Sequence, residues 1–230
     1  MNRVIQYLIA LLIIVGAAYV LLTYGIPKQS ADNTIATTTT ATTTQMNVTH
    51  VQEDTASYSI DATYPQFGIP SVDTEIKKTV DAGLAEFRSY PPNPPDSSTP
   101  KNSYIGKYDN VYQGSDVVSV SLIASEDTGG AHPNTSITVV NVDPHTGHVL
   151  TLDDALSLIG KTLQRVASSS ESQIKAGIGA DSIFEDGFAA KAENYRVFRV
   201  NKDSVTFVFN DYQVAPYSAG PQEAVFARIK

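Results

Sequence analysis

The chain has 230 residues, of which 42% are hydrophobic, and this length suffices for one sizeable core or two small subdomains with a shared interface. Its formal net charge is −8 at pH 7, and an acidic surface repels nucleic acid and anionic wall polymers while it favours cationic partners. The sequence contains no cysteine, so the fold must be stabilised by packing without disulfides.

An uncharged apolar segment runs from Val4 to Tyr24. As a helix it would be roughly 31 Å long, about the thickness of the hydrocarbon core of a bilayer. A cleaved signal peptide is the alternative, but the run is longer than such peptides need and no Ala-x-Ala-like site follows it. We therefore predict a transmembrane anchor over residues 1–27. Arg3 before the span weakly favours a single-pass protein of the cell membrane with its C-terminal domain outside the cytoplasm.

The next segment is rich in threonine and includes TTTTATTTQ. Such a composition offers little apolar surface to bury, so it cannot offset the entropy lost on ordering. We predict a disordered linker over residues 28–50. The remaining chain is expected to form an N-terminal α+β subdomain over 51–152 and a C-terminal one over 153–230.

The N-terminal subdomain begins with an alternating polar and apolar run at residues 57–63, which predicts a strand. A helix follows, because apolar residues recur at spacings of three or four: Val72, Ile76, Val80, Leu84 and Phe87. Ser71 is predicted to cap it. The proline-rich stretch PPNPPDSSTP must end it before Tyr90. Four strands are then predicted at 104–112, 117–124, 136–142 and 148–152, joined as an antiparallel meander.

The C-terminal subdomain is predicted to begin with a helix capped by Thr151. Its apolar stripe is Leu156, Ile159, Leu163 and Val166, and the serines at 168–170 should weaken or interrupt it. Strands at 195–200, 205–209 and 224–229 end the chain. The predicted fold class is α+β, an antiparallel sheet with helices packed on one face, preceded by the single transmembrane helix.

A first candidate binding loop contains Gly129, Gly130 and His132. Glycines allow close approach to the backbone, and an imidazole can act as a ligand or transfer a proton. The alternative is a structural turn in which His132 is hydrogen-bonded to backbone. His145 and His148 could join His132 in a zinc site with hydrolytic activity, but the nearby carboxylates lack the order of a zinc signature. We therefore expect no metal and no cofactor.

A second candidate loop contains Tyr212, Pro216, Tyr217 and Gly220. Tyrosine offers a large amphipathic contact area at low entropic cost, and proline fixes the shape of a loop before a partner arrives. A sugar or a cationic protein surface could stack on either tyrosine. The alternative is that both tyrosines cover the open end of the sheet.

Several motifs in fixed order carry a family resemblance over roughly residues 56–230. They include YPQF at 64–67, TGGAH at 128–132 and FNDYQVAPYSAG at 209–220. Together they resemble the extracytoplasmic module of the lysozyme-sensing anti-sigma-V factors, which is also found on the N-terminal side of some peptidoglycan deacetylases. The resemblance implies recognition of lysozyme outside the cell.

Only Met1 to Arg3 precede the apolar segment, and the chain ends at Lys230. We therefore expect the recognition module without a sigma-binding or deacetylase domain. The sequence leads us to expect a binding module without catalytic activity that recognises a cationic protein such as lysozyme. The alternative is a module that binds peptidoglycan or another envelope glycan, and a hydrolase centred on His132 ranks third.

Overall fold

The computed structural model describes residues 46–94 and 98–229. In these ranges the chain forms an α+β structure with eight strands in two sheets and three α-helices. No helix within them is long and apolar enough to cross a membrane. The predicted anchor at 1–27 and the linker up to residue 45 lie outside the described residues.

The first sheet has five strands in the order β1-β2-β3-β4-β5. The strands are β1 (Asn47–Asp54), β2 (Tyr58–Gln66), β3 (Asn102–Gln113), β4 (Val118–Asp127) and β5 (Asn134–Val142). All neighbouring strands are antiparallel except β2 and β3, which are parallel. The expectation of a wholly antiparallel sheet is therefore wrong at this pair. The chain returns from β2 to β3 through helix α1 (Pro70–Arg88), and parallel neighbours need such a crossover.

Strand β1 corrects the C-terminal boundary of the predicted linker, because residues 47–50 belong to the sheet. Its register with β2 runs from Asn47 opposite Gln66 to Asp54 opposite Ser59. Most of its side chains are exposed, so no apolar periodicity marks it in the sequence. The pairing with β2 holds this edge strand in place, together with an ion pair between Glu53 and Arg88 of α1.

Helix α1 packs its predicted apolar face on the first sheet, where Val72, Ile76, Leu84 and Phe87 are buried. Its N-terminal capping residue is Ile69, which makes no side-chain cap hydrogen bond, so Ser71 is not the cap. The helix ends at Arg88, before Tyr90 as the proline-rich stretch requires. These contacts place α1 on one face of the sheet and leave the opposite face to the C-terminal half.

The predicted fourth strand of the meander, at 148–152, does not form. Only an isolated antiparallel bridge joins Val149 to Val142. The physical reason is that Thr151 already caps the next helix, with a capping box in which Asp154 bonds back to the Thr151 backbone. The meander therefore has three strands, β3, β4 and β5.

The C-terminal half contains α2 (Leu152–Ile159), α3 (Leu163–Ile178) and a second sheet of β6 (Phe198–Val200), β7 (Ser204–Phe209) and β8 (Gln222–Ala227). The predicted single helical stripe is split because Gly160 adopts a left-handed conformation and Thr162 caps a new helix. Contrary to prediction, α3 is continuous through the serines at 168–170. Short 3-10 turns at Ala180–Ser182, Glu185–Phe188 and Ala192–Tyr195 connect α3 to β6.

Buried polar side chains join the two sheets. The Asn141 side chain donates to the C=O of Phe198 at 2.8 Å, and its Oδ1 accepts from the N–H of Val200 at 3.3 Å. The same N–H also lies 3.3 Å from Oγ of Ser119. Because an unpaired buried peptide group is costly, these contacts fix β6 against β4 and β5. The sequence predicted a single sheet, whereas the structure has two sheets in contact with each other.

Candidate functional site

The two candidate loops meet at their aromatic side chains. The rings of His132 and Tyr217 are stacked, with centroids 3.8 Å apart and planes inclined by 19°. Tyr212 lies beside them, with its ring centroid 5.7 Å from that of Tyr217. We call His132, Tyr212 and Tyr217 the aromatic cluster. It joins the loop between β4 and β5 to the loop between β7 and β8.

Both ring nitrogens of His132 have hydrogen-bond partners. Nδ1 lies 2.9 Å from the C=O of Pro133, and Nε2 lies 3.2 Å from the hydroxyl of Tyr212. A carbonyl oxygen can only accept, so Nδ1 carries the proton of this bond. In the neutral ring Nε2 is then the acceptor for the Tyr212 hydroxyl. His132 therefore orients Tyr212 as well as stacking on Tyr217.

Asn210 anchors the second loop to strand β5. Its side-chain Oδ1 accepts from the N–H of Ile137 at 2.7 Å, and its Nδ2 donates to the C=O of Ile137 at 3.1 Å. A turn follows in which the N–H of Gln213 bonds to the C=O of Asn210 at 3.1 Å. Tyr212 sits in this turn with φ of 64°, an uncommon value for a residue with a side chain. The anchored turn presents the Tyr212 ring outward, and 55% of this residue is exposed.

Pro216 and Gly220 shape the turn that carries Tyr217. Pro216 precedes a 3-10 turn over Tyr217–Ala219, and the N–H of Gly220 bonds to the C=O of Tyr217 at 2.9 Å. Gly220 has φ of 68°, which only glycine adopts freely. These two residues thus act on backbone shape, whereas Tyr217 supplies the ring.

Gly129 and Gly130 differ in how strictly glycine is needed. Gly129 has φ of 89°, and a Cβ there would lie 2.6 Å from Cγ2 of Thr99 in the proline-rich loop. A Cβ at Gly130 would meet nothing closer than 3.6 Å. The N–H of Gly129 also bonds to the carboxylate of Asp127 at 2.9 Å. Gly129 therefore allows the loop to turn close to its neighbour, and His132 is the member of this loop that reaches the aromatic cluster.

Asp211 is a residue of this site that the sequence pattern did not single out. Burial raises the pKa of its carboxyl group, and the nearby His132 opposes part of that shift. Its Oδ1 is buried and has no hydrogen-bond partner among the described residues. The only signal in the sequence was an acidic residue directly before Tyr212. Its carboxylate adds an anionic group beside the exposed tyrosine.

The other histidines of the zinc hypothesis lie elsewhere. Nε2 of His148 is 2.8 Å from the carboxylate of Asp154, and His145 is exposed in the turn between Asp143 and Gly147. In the part of the chain that the structure describes, no three histidine or acidic side chains are grouped so that they could hold a metal ion. The three-histidine arrangement is therefore not formed.

Comparison with known proteins matches residues 153–228 to the family described as "Protein of unknown function (DUF3298)". Over 219 residues the chain is 23% identical to the peptidoglycan-N-acetylmuramic acid deacetylase PdaC of Bacillus subtilis (strain 168). That alignment covers 94% of this chain and 46% of PdaC. The chain therefore spans about half the length of this curated relative.

Two solved structures share the fold. A DUF3298 family protein from Pseudomonas aeruginosa PAO1 aligns with a TM-score of 0.57 and 17% identity, over 80% of this chain and 91% of that one. A DUF3298 family member from Bacteroides fragilis NCTC 9343 aligns with a TM-score of 0.53 and 20% identity, over 80% and 89%. Residues 153–228 therefore match the DUF3298 family, and the chain has the fold of solved DUF3298 proteins.

Proposed function

We propose that this protein is a membrane-anchored, extracytoplasmic binding module of the cell envelope, without catalytic activity, that recognises a cationic protein such as lysozyme. The observation that carries the proposal is the Tyr212 ring, which is exposed to solvent and directly follows the partly exposed acidic residue Asp211. The aromatic cluster is then the contact surface. The anchor and the location outside the cytoplasm come from the sequence and belong to the same proposal.

An aromatic face next to a carboxylate suits an arginine or lysine side chain. The cation is attracted to the ring face, an interaction of about 0.5–1 kcal/mol at an exposed site. The negative charge of the partly exposed Asp211, which directly precedes Tyr212, attracts the same cation. The formal net charge of −8 would steer a cationic protein toward this surface, so association should weaken as salt is added.

The environment of His132 supports a binding role over a catalytic one. A general base needs a nitrogen that can reach the substrate, whereas Nδ1 and Nε2 of His132 already bond to Pro133 and Tyr212. The hydrolase alternative would require Tyr212 to move away and free Nε2. Its test is hydrolysis of cell-wall fragments by purified protein, with the His132→Ala variant as the control.

Calorimetric titration of the full-length chain with lysozyme, at low and at physiological salt, tests the proposal. We expect binding that weakens with salt and weakens further in Tyr212→Ala and Asp211→Asn. Tyr112→Ala is the matched control, because Tyr112 pairs with Ser119 at the opposite end of the β3–β4 ladder from the β4–β5 loop. The muramidase activity that lysozyme retains in the mixture shows whether the contact blocks its active site. Binding no tighter than that of an unrelated acidic protein would overturn the proposal.

A second candidate ligand is peptidoglycan or another envelope glycan. The flat, exposed face of Tyr212 also suits a sugar ring, and the relative PdaC is named as a peptidoglycan-N-acetylmuramic acid deacetylase. This candidate predicts co-sedimentation with purified cell walls that persists at high salt and is lost in Tyr217→Ala. If the Tyr217→Ala variant still co-sedimented with the walls, that result would count against glycan binding at this site.

A further inference from the structure

The outer edge of β5 is covered at two positions by other parts of the chain. β5 is the last strand of the five-stranded sheet, so one of its edges has no strand partner in that sheet. At Ile137 both the N–H and the C=O on this edge bond to the side-chain amide of Asn210. At Asn141 the C=O accepts from the N–H of Leu150 at 2.9 Å.

Val139 lies between these covered positions. In an antiparallel ladder the peptide groups of alternate residues point to the same edge. The N–H and C=O of Val139, which is paired with Ser121 of β4, therefore point outward like those of Ile137. Within residues 46–94 and 98–229, no group outside the ladder hydrogen-bonds to either of them. The edge thus presents one free donor and one free acceptor side by side.

These groups face a cleft of about 400 Å³ between β5 and the C-terminal half. Its lining includes Ile137, Val139, Arg196, Val197 and Asn210. Arg196 is exposed, and its guanidinium has no ion pair or hydrogen bond in the described part of the chain. A guanidinium without a partner favours a carboxylate, which it can bind through two parallel hydrogen bonds. The cleft therefore combines strand-like backbone groups with a cationic side chain.

We propose that this cleft binds a short extended peptide that ends in a carboxylate. The main chain of the peptide pairs with Val139, and its carboxylate pairs with Arg196. This is strand addition at a sheet edge, limited to the stretch of β5 between the contacts that Asn210 makes at Ile137 and Leu150 makes at Asn141. The site is separate from the aromatic cluster and does not depend on what that cluster binds.

The contact between Asn210 and Ile137 shows how an amide docks on this edge. Successive outward positions of a strand are two residues apart, roughly 6.8 Å. An extended peptide repeats its own peptide groups with the same period. A peptide group of a ligand that lies next to the Asn210 amide along this edge can therefore pair with Val139. The two hydrogen bonds would have the same arrangement as those between the Asn210 amide and Ile137.

The test is an NMR titration of the full-length chain with N-acetyl-trialanine, as the free acid and as the C-terminal amide. We expect the Val139 amide resonance to shift, and the amide to bind about tenfold more weakly because it lacks the charge-assisted bonds to Arg196. Arg196→Gln should remove the difference between the two probes. Arg165→Gln is the matched control, since Arg165 on α3 is also exposed and its guanidinium has no ion pair or hydrogen bond among residues 46–94 and 98–229.

Val139→Pro tests the backbone contact, because it removes an N–H that points outward and leaves the ladder with β4 intact. Circular dichroism checks that this variant folds. If this variant does not fold, the comparison of the acid and amide probes on Arg196→Gln still tests the proposal. Equal affinity for acid and amide, or an unmoved Val139 resonance at saturation, would overturn the proposal.

The configuration of the terminal residues distinguishes two sources of such a peptide. N-acetyl-trialanine with L residues represents the C terminus of a protein, and the same probe with two terminal D residues represents a cell-wall peptide. A preference for either probe supports the binding of a peptide with a terminal carboxylate, and it identifies the source of that peptide. Failure of both to bind contradicts it.

Discussion

The imidazole of His132 lies on the phenol ring of Tyr217, with ring centroids 3.8 Å apart. The two residues belong to loops that leave different sheets, and Asn210 bonds one of these loops to β5. The stack therefore holds together a surface to which both halves of the chain contribute. Its removal should be felt in stability as well as in binding.

His132→Ala should lower the free energy of unfolding by about 1 kcal/mol, because an aromatic pair contributes about 0.5–1.5 kcal/mol beyond its buried area. Urea unfolding followed by tyrosine fluorescence measures this, since the chain has no tryptophan. His145→Ala is the control, because His145 is exposed and makes its hydrogen bond through the backbone N–H. Equal losses in both variants would contradict a structural role for the stack.

Asn210→Ala should cost about 1–3 kcal/mol, because it leaves the partly buried N–H and C=O of Ile137 without their partner. Asn210→Asp retains the acceptor for the N–H of Ile137 and loses the donor, so we expect a smaller loss. Both free energies come from denaturant unfolding. If the aspartate variant were as unstable as the alanine variant, the bond to the N–H of Ile137 would contribute nothing.

Asp211→Asn should raise the melting temperature at pH 7. Burial raises the pKa of this carboxyl in the folded state, so stability is greatest when the group is protonated in both states. That stability is lost as the pH rises through the unfolded and then the folded pKa. The gain from Asp211→Asn should therefore shrink as the pH is lowered from 7 toward 4 in a series of thermal melts.

Asp143→Asn provides a control of opposite sign. Hydrogen bonds from the backbone N–H of His145 and from Thr146 lower the pKa of Asp143. The ionised carboxylate then stabilises the fold above its unfolded pKa, and this contribution is lost as the pH falls through the folded pKa. Asp143→Asn should lower the melting temperature at pH 7. A rise in both variants would show that a general loss of negative charge is responsible.

Gly106→Ala should destabilise the protein by about 1–3 kcal/mol through overpacking. A Cβ at Gly106 would lie 2.7 Å from Cβ of Ala62, across the parallel pair of β2 and β3. Gly177→Ala is the matched comparison, because a Cβ on that α3 residue meets nothing within 4 Å. It should stabilise by about 0.4–1 kcal/mol. Chemical unfolding of both variants measures the two effects, and a neutral Gly106→Ala would mean that the strands can separate without cost.

Local sequence signals predicted those elements that depend on neighbouring residues alone. The hairpin of β3 and β4 and the capping of α2 by Thr151 are confirmed, since turn residues and caps act within a few positions. Strand β1 was missed because an edge strand with exposed side chains has no apolar period. Gly160 was read as part of a helix, although a left-handed glycine is what ends α2.

The candidate site was only partly accessible to sequence reasoning. His132, Tyr212 and Tyr217 were identified as residues of two loops, but their mutual stacking depends on how the two sheets meet. Asn210 and Asp211 carry no pattern of their own, and they matter because Ile137 and His132 lie opposite them. The ligand-binding role of the predicted residues stays a prediction.

The hydrogen bonds from Asn141 and Ser119 to β6 bear on how the molecule unfolds. If the first sheet opened alone, the N–H of Val200 and the C=O of Phe198 would exchange their side-chain partners for water. Each lost hydrogen bond would cost about 0.5–1.5 kcal/mol, in addition to the packing between the two sheets, so neither half gains by opening first. We expect a single cooperative transition in calorimetry. Residues 153–228 match a family by themselves, yet we expect them to unfold together with the strands that precede them.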